Sequence, residues 1–311
     1  MTLDEFINQY ESRTHNIFCL CGSKRRISIR PRERFGVPVK FAICMKCGHT
    51  YASNPMRESE LDSFYSSPLY RNLYSSGFSV DDHINKLNVS SQTKTALWNI
   101  SEKFLPISGG SVLEWGCGGG WNLLPFRDFG HKVIGVDVNE PYLEAGRRIL
   151  KLDLRAIDAK TQKELELLNF DVIILNHVLE HLLNPEELLQ NLRSLCKPST
   201  KLIIGLPTLE RIKEYGFDRY FTLAHIHYFS AISFSSLVAR CGYIVESTHQ
   251  THGGLTFVVG LDLPTKSRIQ RFGFLNSMYL ATQAYIEFNM RKIVKRVLDK
   301  VGLLERIQRR N

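Results

Sequence analysis

No run of apolar residues in the 311-residue sequence reaches the ~18 needed to cross a bilayer. The opening residues, MTLDEFINQYE, are acidic where an export signal would be basic and then apolar. A membrane-spanning or exported protein is therefore not expected, and the reading places the chain in the cytoplasm. Cysteines number seven, which is odd, and no export signal accompanies them, so a disulfide framework is not expected. The composition of a disordered chain is missing too. At 43% hydrophobic and 23% charged residues, the chain has material for one large domain with appendages.

The net charge of +9 is unevenly spread. Residues 262–311 hold 11 Lys or Arg against 4 Asp or Glu, and residues 1–60 hold 10 against 6, so the middle of the chain is slightly acidic. Without a basic surplus there, a long polyanion such as nucleic acid is a disfavoured partner for the central domain.

That domain is arranged around Ser111 to Trp121, SVLEWGCGGGW, read as a buried strand running into a glycine turn that opens a helix. Twenty-one residues after Gly116, a second apolar run, KVIGV, ends in Asp137, a carboxylate at the end of the neighbouring strand that can grip two ribose hydroxyls. A dinucleotide site requires GxGxxG, whereas the run from Glu114 is ExGxGxG. This string resembles the motif of class I methyltransferases, and the resemblance continues through Asp137 and FDVIILNHVLEHL (Phe170 to Leu182), covering roughly Leu97 to Leu261.

The resemblance implies an α/β fold with a seven-stranded, mostly parallel, Rossmann-like sheet, and S-adenosylmethionine as methyl donor. Strands are expected near 111–115, 132–137, 154–158, 171–176, 201–206, 243–248 and 255–261. The last two are too close for a crossover helix and should pair antiparallel. A helix from Pro185 to Leu195 is expected, capped by Asn184. The donor residues implied are Glu114, Gly116, Gly118, Gly120, Asp137 and Asn176, with Asp158 for the adenine amino group. Asp158 also reads as an ordinary helix cap.

On the acceptor side, His177, Glu180 and His181 follow the fourth strand, and His225 and His227 follow the fifth. Strand ends on one edge of an open sheet converge on the ligand crevice. A histidine there can take the acceptor proton, or the cluster can hold a divalent metal that orients the acceptor hydroxyl. Glu180 and His181 can also be a plain loop hydrogen-bond pair. Ubiquinone-pathway and small-RNA ribose O-methyltransferases carry a similar ExxEH string; here it is HxxEH, which tilts any metal toward a softer ion.

Residues 1–60 contain Cys19 with Cys21 and Cys44 with Cys47, flanking a basic, β-prone stretch. This resembles a zinc ribbon, in which four thiolates on facing turns close a tetrahedron around a structural Zn²⁺. The second turn, CMKCG, has the usual spacing. The first, FCLCGS, has one residue between its cysteines, so His15 or His49 are further candidate ligands. The order of ribbon, aromatic linker (61–96) and methyltransferase domain (97–261) is similar to that of nucleotide-sugar C-methyltransferases. Tyr65, Tyr70 and Tyr74 in the linker are read as packing, or as a lid over the donor.

Residues 262–311 read as a basic amphipathic helical tail. Ile286, Met290, Ile293, Val297, Val301 and Leu304 form one stripe, with Arg291, Lys292, Lys295, Arg296 and Lys300 beside or opposite it. Such a stripe packs on the core or a second subunit, or lies on an anionic membrane surface. The reaction expected is methyl transfer to oxygen on a sugar or glycan intermediate, with sugar C-methylation, RNA ribose methylation and a non-catalytic binding module that keeps the fold as alternatives.

Overall fold

The computed structural model describes residues 2–65, 67–74, 79–91, 96–251, 254–263 and 273–300. Its strands are β1 (Arg26–Arg30), β2 (Phe41–Cys44), β3 (Thr50–Ala52), β4 (Ser111–Trp115), β5 (Lys132–Asp137), β6 (Leu154–Ala156), β7 (Phe170–Asn176), β8 (Cys196–Leu206), β9 (His227–Tyr228), β10 (Tyr243–Thr251) and β11 (Gly254–Leu261).

The central strands are apolar on both faces because helices cover both. Leu113, Ile173, Ile204 and Phe257 pack into one core layer, while their chain neighbours Val112, Ile174, Ile203 and Val258 pack into the other. The result is a seven-stranded sheet in the order β10-β11-β8-β7-β4-β5-β6. Strand β11 runs antiparallel to both β10 and β8, and the remaining pairs are parallel, as expected. From β4 the chain winds outward through β5 and β6, then returns to β7 on the other side of β4. The ends of β4 and β7 thereby flank a topological switch point, where ligands bind in open α/β sheets. Helix Pro185–Leu192 follows, with the Asn184 side chain accepting from the Glu187 amide, and a short 3-10 turn carries it to Leu195.

A second sheet, in the order β1-β2-β3-β9, is antiparallel throughout. Three of its strands come from the cysteine-containing segment. The fourth, β9, comes from the loop that follows β8, so residues 1–60 do not close their own sheet. One hydrophobic cluster joins Phe6 and Tyr10 of the first helix, Phe41 of β2, Phe64 of the linker, and Phe217, Phe221 and Tyr228 from the post-β8 loop. That first helix, Leu3–Arg13, begins with a reciprocal capping box in which Thr2 accepts from the Glu5 amide and Glu5 accepts from Thr2.

The tail forms a helix, Gly273–Lys300. It docks through its small residues: Ser277, Ala281 and Ala284 are buried. At its start, a Cβ on Gly48 would lie 2.0 Å from the Gly273 carbonyl oxygen, so the helix rests directly on the Cys47–Gly48 turn. The two members of the expected apolar stripe whose side chains are described are not on the docked face. Ile286 and Met290 are more than half exposed, as are Leu275 and Tyr279. The side chains of Ile293, Val297 and the basic residues 291–300, and residues 301–311, lie outside what is described. Among the described residues no helix is long and apolar enough to cross a membrane.

Candidate active site

The donor half is built by two strand ends. After β4 the chain turns through Gly116–Gly120, with Gly118 at φ +52°. The Gly118 amide donates to Asp137 Oδ2 at 2.7 Å, and the Gly116 and Cys117 amides donate to the Val136 carbonyl at 2.8 and 3.0 Å. Asp137 Oδ1 accepts from the Asn139 amide at 2.8 Å. Asp137 at the end of β5 thus clamps the glycine turn, and each carboxylate oxygen keeps a second lone pair for a ribose hydroxyl. The helix Glu140–Leu150 closes behind: a Cβ on Gly146 would stand 2.4 Å from the Gly119 carbonyl oxygen, so glycine is needed there for a close approach.

Glu114 sits inside β4, almost fully buried. Asn122 donates to its Oε1 at 2.7 Å, while Oε2 is buried without a hydrogen-bond partner. Burial pushes its carboxyl up to about 8, against the opposing pull of Asn122. A buried acid with an orphaned oxygen suits a ligand that brings a donor or positive charge, and the ammonium-bearing end of S-adenosylmethionine is such a ligand.

Asp158 is exposed and caps helix Ala159–Glu166, its Oδ1 accepting from the Thr161 amide at 2.6 Å. This shortens β6 to Ala156. Asn176 ends β7 opposite Gly205, where a Cβ would come within 2.3 Å of Asn176 Oδ1. Beside the glycine turn, His83, Trp121 and Tyr142 form an aromatic group, with His83 Nδ1 and Tyr142 Oη 2.8 Å apart. Tyr65 packs instead on the acceptor side, and the side chain of Tyr74 lies outside the described residues.

The histidines expected on the acceptor side, His227 excepted, gather where β7 ends. His177 takes a left-handed conformation, φ +56°, unusual for a residue with a Cβ. From there its Nδ1 reaches Glu180 Oε1 at 3.1 Å. Glu180 is wholly buried in the turn Leu179–His181, with Oε2 unpartnered. Burial alone would raise its carboxyl, but the His177 hydrogen bond and the surrounding histidines bring it down to about 2. Burial works against protonating His177, yet the same hydrogen bond leaves it raised above an ordinary imidazole.

His181 has the more telling geometry. Its Nδ1 lies 2.8 Å from the Ala224 carbonyl oxygen and 3.0 Å from Tyr65 Oη, and Tyr65 Oη donates to the same carbonyl at 2.8 Å. A carbonyl only accepts, so the proton of the neutral ring is assigned to Nδ1, leaving the lone pair on Nε2, 3.8 Å from Glu180 Oε1. His225 lies edge-on to His181, ring centroids 4.8 Å apart, and burial followed by repulsion from His181 pushes it down to about 3. Ligand atoms of Glu180, His181 and His225 lie within 4.8 Å of one another and could hold a cation.

His227, expected with these groups, is placed elsewhere. As part of β9 its side chain turns from the crevice toward the ribbon, and Nδ1 meets His49 Nε2 at 2.9 Å, both rings buried. His49 is thereby engaged with His227, and the four cysteines meet without it. Cys19 and Cys47 Sγ are 3.4 Å apart, Cys21 and Cys44 3.6 Å, and all four lie within 4.8 Å of one another. A tetrahedron with Zn–S bonds of 2.3 Å has S–S edges of about 3.8 Å, so these four thiols fit a zinc ion although the first turn is one residue short. The thiols share their protons unevenly: hydrogen bonds with Cys19 pull Cys21 and Cys44 down, while Cys19 itself is pushed up and Cys47 is raised as well.

Sequence reasoning missed Asn122, Gly146 and the reach of Tyr65 to His181. Only Gly146 left a signal, a glycine inside a helix.

A glycine turn at the switch point, a carboxylate ending the adjacent strand, and a seven-stranded sheet with one reversed strand define a class I S-adenosylmethionine-dependent methyltransferase domain. The chain belongs to the family described as a methyltransferase domain, which matches residues 91–248. A ubiquinone biosynthesis O-methyltransferase of Coxiella burnetii (strain RSA 493 / Nine Mile phase I) is 30% identical over 109 residues, 33% of this chain and 46% of that protein. A tRNA U34 carboxymethyltransferase of Idiomarina loihiensis is 33% identical over 112 residues, 33% of this chain and 35% of that protein. The matched stretch spans less than half the length of these curated relatives. Among solved structures, an S-adenosylmethionine dependent methyltransferase from Mesorhizobium loti is similar over 53% of this chain and 98% of that one, with 16% identity and a TM-score of 0.42.

Proposed function

We propose that the protein transfers the methyl of S-adenosylmethionine to a hydroxyl oxygen of a sugar or glycan intermediate, with His181 as general base. The observation that carries this reading is the fixing of His181 Nδ1 by the Ala224 carbonyl, which leaves Nε2 free to accept a proton. The acceptor O–H gives its proton to Nε2, the oxygen lone pair forms the bond to the methyl carbon, and the C–S bond breaks in line. Its electrons neutralise the sulfonium, so the donor leaves as S-adenosylhomocysteine. The Glu180 carboxylate at 3.8 Å stabilises the imidazolium that forms. A positioned base of this kind contributes roughly 10²–10⁴ in rate. Holding the two reactants in line supplies much of the rest.

An oxygen acceptor is supported by the O-methyltransferase relative, and a sugar acceptor by the order of ribbon, linker and methyltransferase domain. Four cysteine thiols at tetrahedral spacing support one structural zinc on Cys19, Cys21, Cys44 and Cys47. A second reading places a divalent ion on Glu180, His181 and His225, favoured by the mutual approach of their ligand atoms. The test is a methyl-transfer screen with labelled donor against nucleotide sugars, oligosaccharides, phenols and RNA, with product NMR locating the methyl. A methyl on sugar oxygen is expected. A methyl on carbon or on RNA would refute the acceptor assignment, and activity that vanishes with chelator and returns with a divalent ion while the zinc on the four cysteines is unchanged would replace the base by the metal.

A further inference from the structure

The cysteine cluster and the acceptor histidines belong to one continuous hydrogen-bonded unit. Cys44 ends β2 and Cys47 precedes the turn into β3. That turn is closed by the Gly48 amide donating to the Cys44 carbonyl and the Cys44 amide donating to the His49 carbonyl, both at 2.9 Å. Strand β3 then pairs with β9, Thr50 against Tyr228 and Tyr51 against His227. The Ala52 amide donates to the Ile226 carbonyl at 2.8 Å, and the Ile226 amide donates to the Glu180 carbonyl at 2.8 Å. Backbone hydrogen bonds therefore run from the cysteine turn to the two residues that flank the acceptor site, Glu180 and, next to Ile226, His225.

A side-chain path runs beside this ladder. His49, two residues after Cys47, is stacked on Tyr51, which packs against the cysteines, and is hydrogen-bonded to His227. Two buried imidazoles that share one hydrogen bond have few other ways to be satisfied, so the position of one constrains the other. Strand β9 has two residues, and its sheet partner is β3.

We infer that the cysteine cluster is the positioning element of the acceptor site: closing Cys19, Cys21, Cys44 and Cys47 around one zinc ion fixes β3, and through the β3–β9 pairing and the His49–His227 pair it holds His225 and Glu180 in register with the donor crevice. The glycine turn and Asp137 follow strands of the other sheet, which does not pair with β3 or β9. The names of the two halves rest on the methyl-transfer reading, but the mechanical coupling does not, and its test requires no acceptor.

The experiment uses the full chain. Zinc is quantified in protein purified without added metal, then removed with a chelator, and backbone hydrogen exchange is compared with and without the ion. One zinc per chain is expected. Its removal should speed exchange by about tenfold or more in peptides covering 222–230 and 177–183, leave 111–120 within about twofold, and keep affinity for S-adenosylhomocysteine within about threefold. Exchange that rises only around residues 19–22 and 44–49 would overturn the inference, as would a protein that neither carries nor binds zinc. Should metal removal unfold the whole chain, His49→Gln decides, since it keeps all four cysteines. With zinc retained, faster exchange at 222–230 and unchanged donor affinity sustain the coupling, and parental exchange there ends it.

Discussion

The buried carboxyl of Glu114 sets stability against donor binding, and the conflict can be measured. An ordinary Glu ionises near 4.5, whereas Glu114 in the ligand-free fold ionises near 8. The unfolded chain therefore releases this proton well before the folded one, and stability present below pH 4.5 is lost progressively as pH rises through 8. Over that window the penalty reaches on the order of 4 kcal/mol. Glu114→Gln keeps an oxygen for Asn122 and removes the ionisation, at the cost of one more unsatisfied N–H beside the orphaned Oε2 site. The ligand-free variant should match the parent near pH 5 and exceed it by about 2–4 kcal/mol at pH 8 in urea denaturation. Donor binding should move the other way. A cationic ligand favours the ionised acid, so binding to the parent releases a proton and tightens as pH rises from 6 toward 8. The variant should bind about 10–100-fold more weakly at pH 8, with a flat pH dependence, for loss of a charge-assisted hydrogen bond. Titration calorimetry across that range reads both. A variant no more stable than the parent at pH 8, or one that keeps the parental slope of affinity with pH, would refute the reasoning.

His181→Gln should lower turnover by roughly 10²–10⁴ with little change in donor affinity, and Tyr65→Phe, which leaves the Ala224 contact in place, should lose less. Equal turnover in His181→Gln and parent would remove the base from the mechanism. Gly146→Ala pushes a methyl into the Gly119 carbonyl and should cost about 1–3 kcal/mol, read as a lower melting temperature, and weaken donor binding as the turn shifts. The exposed Leu275, Tyr279, Ile286 and Met290 beside a basic segment lead us to propose contact with an anionic membrane surface. Flotation with anionic liposomes at low salt should retain the full chain and lose a truncation at 273, whereas full-length protein that ignores the liposomes refutes the contact.

The central sheet was legible because its signals are local. Each strand is a short apolar run, each turn is marked by glycine or proline, and the reversed last strand follows from a loop too short to cross over. Asp137 was legible for the same reason, since it ends one strand at a fixed distance from another. Asp158 shows a limit of local reading: a helix cap and a ligand-binding acid look alike in sequence, and the cap is the contact seen here. The tail shows another. A stripe at helical spacing correctly announces a helix, but the buried face is chosen by how closely backbones can approach, and Ser277, Ala281 and Ala284 allow a closer approach than Ile286 or Met290.

What could not be read from spacing was pairing between distant segments. His227 sits two residues from His225 and reads as its neighbour, but His225 precedes β9 and packs edge-on to His181, whereas His227 lies within β9 and pairs with Tyr51 of β3. One histidine therefore reaches the crevice while the other reaches His49, 178 residues away in the chain. Tyr65 and His181 meet across 116 residues. The four cysteines likewise meet across the chain, although the first turn is one residue short. In a free-standing ribbon, two regular turns must hold the metal unaided. Here β3 pairs with β9, β2 shares the core around Phe41 and Tyr228, and the tail helix rests on Cys47–Gly48. In this setting the CxC turn still brings its two thiols up to those of the second turn, Cys19 to Cys47 at 3.4 Å and Cys21 to Cys44 at 3.6 Å.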